Sequence, residues 1–278
     1  MVNIVCVLSA ISFFVSNVLG IVFVSLNLKH QSNNDFDELY DLDSNYLQDR
    51  WDHRFANERL HRASSIINTF AWFLFAIPMI EISWALSRGG KRLVGVHAAI
   101  AGFALAGSIT ELISRLMSIG IYGASRWVSS SFNLDQWLPD SENDGSNDGV
   151  GWKVLEVAFI LVEGVSLWID AFEWLALAFI LILLYYSVGT QSDDQRAMPM
   201  WWARLGLASA LLSIIDLTAD ILRIEEWMLF TRISMLFTVL NTLIILPVWL
   251  LILGFRMNTT LPKYNEELDR FMPGEPMS

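Results

Sequence analysis

Eight carboxylates fall within or beside stretches of this chain that are otherwise apolar enough to lie in a membrane: Glu81, Glu111, Glu156, Glu163, Asp170, Glu173, Asp216 and Asp220. Three arginines, Arg115, Arg223 and Arg232, share those stretches, with His97 near the start of one. An ionisable side chain in hydrocarbon costs several kcal/mol unless it is paired, hydrated or neutralised. With acids outnumbering arginines eight to three, salt bridges inside the membrane cannot silence them all. Carboxylates left over in that setting bind a cation or relay protons, usually along a hydrated path. The competing expectation is structural, with the charges fastening helices in register as polar glue.

Spacing divides the acids between the two expectations. Glu111 and Arg115 stand at i, i+4, the favourable order for an intrahelical pair. Asp216, Asp220 and Arg223 share one helical face, so Asp220 is expected to pair with Arg223, and Arg232 with Asp216 or Glu225. Arg115, Arg223 and Arg232 are thus the structural charge partners. Glu81 is expected to turn toward Arg88 or Arg92. Glu156, Glu163 and Asp170 are seven residues apart, two helical turns each time, and Glu173 follows three residues later on nearly the same face. Asp170 and Glu173 have no evident partner in the sequence and are the central candidates for a cation or proton pathway. Glu163, Asp216, Asp220 and Glu111 are placed nearer its outer end.

These residues need helices to position them. A span requires about 20 mostly apolar residues to cross a hydrocarbon layer about 30 Å thick. Six stretches qualify, at residues 1–28, 63–87, 93–121, 153–188, 201–224 and 228–255, so an all-α bundle of six transmembrane helices is expected. The first has neither a basic start nor an Ala-x-Ala site and reads as a retained helix; a cleaved signal there would leave five spans. The fourth is too long for one bilayer and is expected to project at its N-terminal end. Residues 29–62 form an acidic loop in which Leu47, Trp51 and Phe55 recur at i, i+4, i+8, the stripe of a short amphipathic helix on the membrane surface. The polar run 122–152 and the tail 256–278 have the composition of disordered segments.

Within the spans, Ala98, Gly102 and Ala106 make a small-residue seam suited to close helix approach. Pro78 and Pro247 are expected to kink their helices. Ser108-Ile-Thr-Glu-Leu112 and Ser213-Ile-Ile-Asp-Leu217 are short matches of the kind internally duplicated transporters show.

Composition removes several function classes. The net charge of −11 argues against a nucleic-acid partner, which would call for a basic surface. A single cysteine, Cys6, excludes an intrachain disulfide and a Cys-based metal centre. The four histidines form no H-x-x-x-H array, no lysine lies inside a span, and there is no Gly-x-Ser-x-Gly or phosphate-binding loop. No catalytic motif, metal or cofactor is therefore expected. The basic cluster Arg88, Lys91 and Arg92 favours cytoplasmic termini. The expected function is that of a small transporter or channel-like protein for protons, cations or a cation-coupled solute. The alternative is a non-catalytic membrane organiser that holds a protein partner through residues 29–62.

Overall fold

The computed structural model describes residues 3–27, 44–88, 94–132, 134, 150–191, 196, 198–224 and 236–259. Among them every regular element is a helix: α1 (Ile4–Asn27), α2 (Ser44–Ala56), α3 (Glu58–Arg88), α4 (Val94–Ser131), α5 (Val150–Gly189), α6 (Met200–Ile224) and α7 (Leu246–Thr259). A π-helical turn, Leu240–Ile245, leads into α7. Six helices are long and apolar enough to cross a membrane, the last of them spanning Leu236–Met257. The protein is a multi-pass membrane protein.

The six spans close into a ring. Each packs on its neighbours in the chain, and the last returns to the first. The outer surface is apolar, carrying among others Leu8, Phe70, Leu105, Leu161 and Leu236, as a surface bathed in lipid requires. Toward the end of the bundle that holds Glu81 and Met257, the ring is filled by large side chains, with Trp72, Phe75, Met79, Leu177, Trp202 and Trp249 all at 2% exposure or less. Trp202 and Trp249 stack with centroids 4.5 Å apart. Each indole donates to the other's backbone carbonyl at 3.2 Å. α1 contributes Phe13, which meets Trp72 and Phe75 edge-on.

At the other end α4 and α5 are too long for the bilayer. Helices of 38 and 40 residues extend close to 60 Å at 1.5 Å per residue, about twice a hydrocarbon core. Their projecting turns build a second apolar core with α2, in which Leu47, Trp51, Tyr122, Trp152, Leu155 and Phe159 are buried. The fourth span thus extends beyond one bilayer thickness, as a helix that runs unbroken through Gly164. The third span continues to Ser131, past its expected end at Ile121, because Tyr122 and Val128 pack on this second core. The expected disordered run 122–152 therefore begins in helix. The apolar stripe of α2 is buried against protein, Leu47 and Trp51 both at 0% exposure, and is not laid on the bilayer.

Two further expectations change. The seam Ala98, Gly102, Ala106 is not a helix contact: Ala98 and Gly102 are exposed, and a Cβ on Gly102 would meet nothing within 4 Å. Close approach occurs one face over, where a Cβ on Gly107 would lie 3.0 Å from Trp72 Cζ3 and 3.3 Å from Ala176 Cβ. α3 passes through Pro78 as one unbroken helix. Pro247, which can donate no backbone hydrogen bond, follows directly on the π turn, the usual device for absorbing a break in the ladder.

Candidate functional site

Halfway along α4 and α5, three carboxyls converge. Glu111 projects from α4, and Asp170 and Glu173 from successive turns of α5. One oxygen of each lies within 4.8 Å of the other two. The heptad spacing of α5 turns Asp170 toward α4, and the small side chains there let the helices approach: Ser114 and Ser166 face each other at 3.0 Å, and each hydroxyl also donates to the other's carbonyl.

Among the described residues one guanidinium serves this cluster. Arg115 Nε donates to Glu111 Oε1 at 2.8 Å, the expected intrahelical pair. Its Nη2 reaches across to Asp170 Oδ1 at 3.2 Å. Asp170 therefore has a partner that the sequence did not disclose, one that sits on the neighbouring helix. Asn68 of α3 donates to Glu111 Oε1 at 2.6 Å, and Ser114 to Asp170 Oδ1 at 3.3 Å. Glu173, by contrast, forms no ion pair with Arg115 within 4.0 Å, and its Oε2 is buried without a donor. Glu111 Oε2 is likewise buried without one. An oxygen of Glu111 and one of Glu173 lie within 4.8 Å of each other, a spacing at which two buried carboxylates repel and sharing a proton relieves the repulsion. With all three ionised the cluster would hold two negative charges in excess of Arg115, at 0% and 3% residue exposure for Glu111 and Glu173.

The remaining candidates are distributed elsewhere. Glu111 stands level with Asp170 and Glu173, since one oxygen of each lies within 4.8 Å of the others. Asp216 and Asp220 of α6 are buried at the interface with the sixth span, where Thr238 donates to Asp216 Oδ1 at 3.3 Å. Asp220 lies within electrostatic reach of Asp170. Glu163 is exposed on α5, between the cluster and the second core. Glu81 is exposed and accepts a hydrogen bond from Asn3 at 3.2 Å. The side chains of Arg88 and Arg223, together with Arg92, Glu225 and Arg232, lie outside the described residues, and so do the pairings expected of them.

Glu156 is not part of this cluster. It is clamped in the second core, where Arg54 holds it in a fork, Nη1 to Oε2 at 2.5 Å and Nη2 to Oε1 at 3.0 Å, and Arg50 adds a contact at 3.2 Å. The Arg54 guanidinium also covers the rings of Trp51 and Phe159, at 4.7 and 4.3 Å from their centroids. Burial draws Arg50 below the usual arginine range, and Glu156 opposes that most strongly. Nearby, Glu58 bridges Arg62 and Arg126, the latter at 3.1 Å. These arginines sit outside the apolar stretches, which is why a search for partners inside those stretches misses them.

Asn68 carries no charge and escapes a search for ionisable groups, although an asparagine in an apolar span is itself a signal that something polar faces it. No protein-family model, curated protein or solved structure matches this chain.

Proposed function

We propose that the protein takes up protons or small cations at Glu111, Asp170 and Glu173, and that this uptake is part of a proton- or cation-coupled transport activity. One observation carries the reading: three carboxyls are gathered within 4.8 Å around one guanidinium, in the middle of helices that cross the membrane. Burial there is too costly for the two uncompensated charges to persist as such, so a proton or cation must share the site. Arg115 supports the same use, since a fixed positive group beside exchanging carboxyls limits how many charges the site can gain. No step of this role makes or breaks a covalent bond to carbon, and the proposal is not an enzyme. The termini are assigned to the cytoplasm on the basic cluster Arg88, Lys91 and Arg92.

A second reading has one observation in its favour. Arg115 ties α4 to α5 through Asp170, the geometry of a structural fastening. On that reading the protein is an organiser that holds a partner through its acidic loop and α2.

Reconstitution separates the two. Vesicles containing the protein, with a pH dye inside and an imposed membrane potential, should acidify or take up a tested cation. Glu173→Gln, which keeps shape and removes charge, should abolish that flux or change its pH dependence while the protein still purifies as the native species. If wild-type vesicles stay silent under every imposed gradient and deletion of residues 35–55 removes a co-purifying protein, the organiser reading prevails.

A further inference from the structure

The contact between α6 and the sixth span carries a second polar stripe. Along α6, Trp202, Gly206, Ser209, Ser213, Asp216 and Asp220 recur at alternating steps of four and three, so all six lie on one face, and all are buried. The facing helix supplies Asn241, at 0% exposure, and Thr238. Ser209 donates to Asn241 Oδ1 at 2.6 Å, Asn241 Nδ2 donates to Ser213 Oγ at 3.0 Å, and Thr238 donates to Asp216 Oδ1 at 3.3 Å. The serines and the asparagine satisfy one another. One oxygen is left over: Asp216 Oδ2, buried and without a donor among the described residues, on a residue at 0% exposure.

We infer that Asp216 is a second cation station, and that the ligand it takes is a proton. A carboxylate oxygen buried in a span with no donor requires a positive ligand. A hard metal ion asks for about six to eight oxygens. Here Ser213 and Asn241 are already committed to each other, which leaves Asp216, Asp220 and Thr238 as oxygen ligands from side chains, fewer than a hard metal ion needs and sufficient for a proton. Asp220 faces Asp216 from its own helix, and Asp170 of α5 reaches Asp220; Arg223 lies one turn further on in sequence. Among the described residues the sixth span presents Thr238 and Asn241 to it, neither of which titrates. The same Ser-x-x-acid spacing recurs at the first site, where Ser108 and Glu111 are both at 0% exposure, but there Asn68 donates to the acid itself, whereas Asn241 serves the serines.

Two features suit the stripe to one-sided loading. Its far end is closed by the stacked Trp202 and Trp249, with Gly206 leaving room for the second indole. Asn241 sits in the π turn, where a one-residue change of helical register would move it past Ser209 and Ser213. The station shares no side chain with the Glu111–Asp170–Glu173 cluster, although Asp220 lies within electrostatic range of both, so each is read out on its own peptide.

Dicyclohexylcarbodiimide, a membrane-soluble reagent for protonated carboxyls, tests this in wild-type protein held in lipid nanodiscs, with the modified residue found by peptide mass spectrometry. Asp216 should be modified, more slowly as pH rises, and unaffected by sodium or calcium. Thr238→Val, which removes the donor to the ionised form, should be modified several-fold faster at the same pH. The Asp216→Asn peptide should stay unmodified. Asp216 unmodified at every pH overturns the inference, and so does protection by a metal ion with no dependence on pH. Peptides bearing Glu111 and Glu173 report on the first site in the same spectrum, so failure at one is distinguished from failure at the other.

Discussion

Replacing Glu156 by Ala should detach α2 from the rest of the molecule while leaving the membrane bundle intact. Glu156 is fully buried, accepts two hydrogen bonds from Arg54 and is ion-paired with Arg50; the two arginine side chains are themselves only 11% and 3% exposed. Removing one partner of a buried ion pair costs about 3–5 kcal/mol, because the other charge stays desolvated. Here two arginines lose Glu156 at once. Arg54 keeps its contacts with the Trp51 and Phe159 rings, which return up to about 2 kcal/mol when desolvated. Burial of Arg50 already disfavours its charged form, and Glu156 is the strongest influence opposing that. A net loss of about 3 kcal/mol in the local stability of α2 corresponds to a rise in amide exchange on the order of 100-fold. Exchange mass spectrometry over Ser44–Ala56 reads this directly. Labelling of the single cysteine, Cys6, buried in α1, reports the bundle in the same sample. The variant should exchange fast in α2 with unchanged Cys6 labelling, and adding Arg50→Met should restore part of the protection. Exchange in α2 that rises by less than a few-fold would refute the assignment of Glu156 as its anchor.

Two substitutions test the packing of the ring. Gly206→Ala places a Cβ 2.9 Å from Trp249 Nε1, whose indole is pinned by stacking and by its hydrogen bond, so thermal unfolding followed by Cys6 labelling should show a loss of about 1–3 kcal/mol. Gly107→Ala presses on Trp72 and Ala176 and should destabilise in the same assay, whereas Gly102→Ala meets nothing and should be neutral or gain up to about 1 kcal/mol from helix propensity. Equal effects at the two glycines would contradict the orientation of α4.

Much of the bundle was legible because polar groups in hydrocarbon are expensive, so long apolar runs betray spans whatever their tertiary contacts. The ends of those spans were less so. Hydropathy cannot distinguish a side chain that faces lipid from one that faces protein outside the membrane, and Tyr122, Val128 and Trp152 are of the second kind. The Glu111–Arg115 pair could be read because it is local to one helix. The contact of Arg115 with Asp170 could not, since 55 residues separate them and only the rotation of α5 against α4 brings them together. The same limit applies to the small-residue seam: spacing shows that a helix has a face of small residues, and only packing shows that Gly107, not Gly102, meets a neighbour.

Infrared spectroscopy of the carboxyl bands tests the central claim most directly. If the cluster shares a proton or cation, the protein in lipid should show a protonated-carboxyl C=O band, or a carboxylate band that moves when sodium or calcium is added. Glu173→Gln should remove that feature while the band from any other buried acid persists. A spectrum in which Glu173→Gln changes nothing, at any pH or ion composition, would mean that Arg115 and water silence the three acids unaided, and the proposed uptake site would be lost.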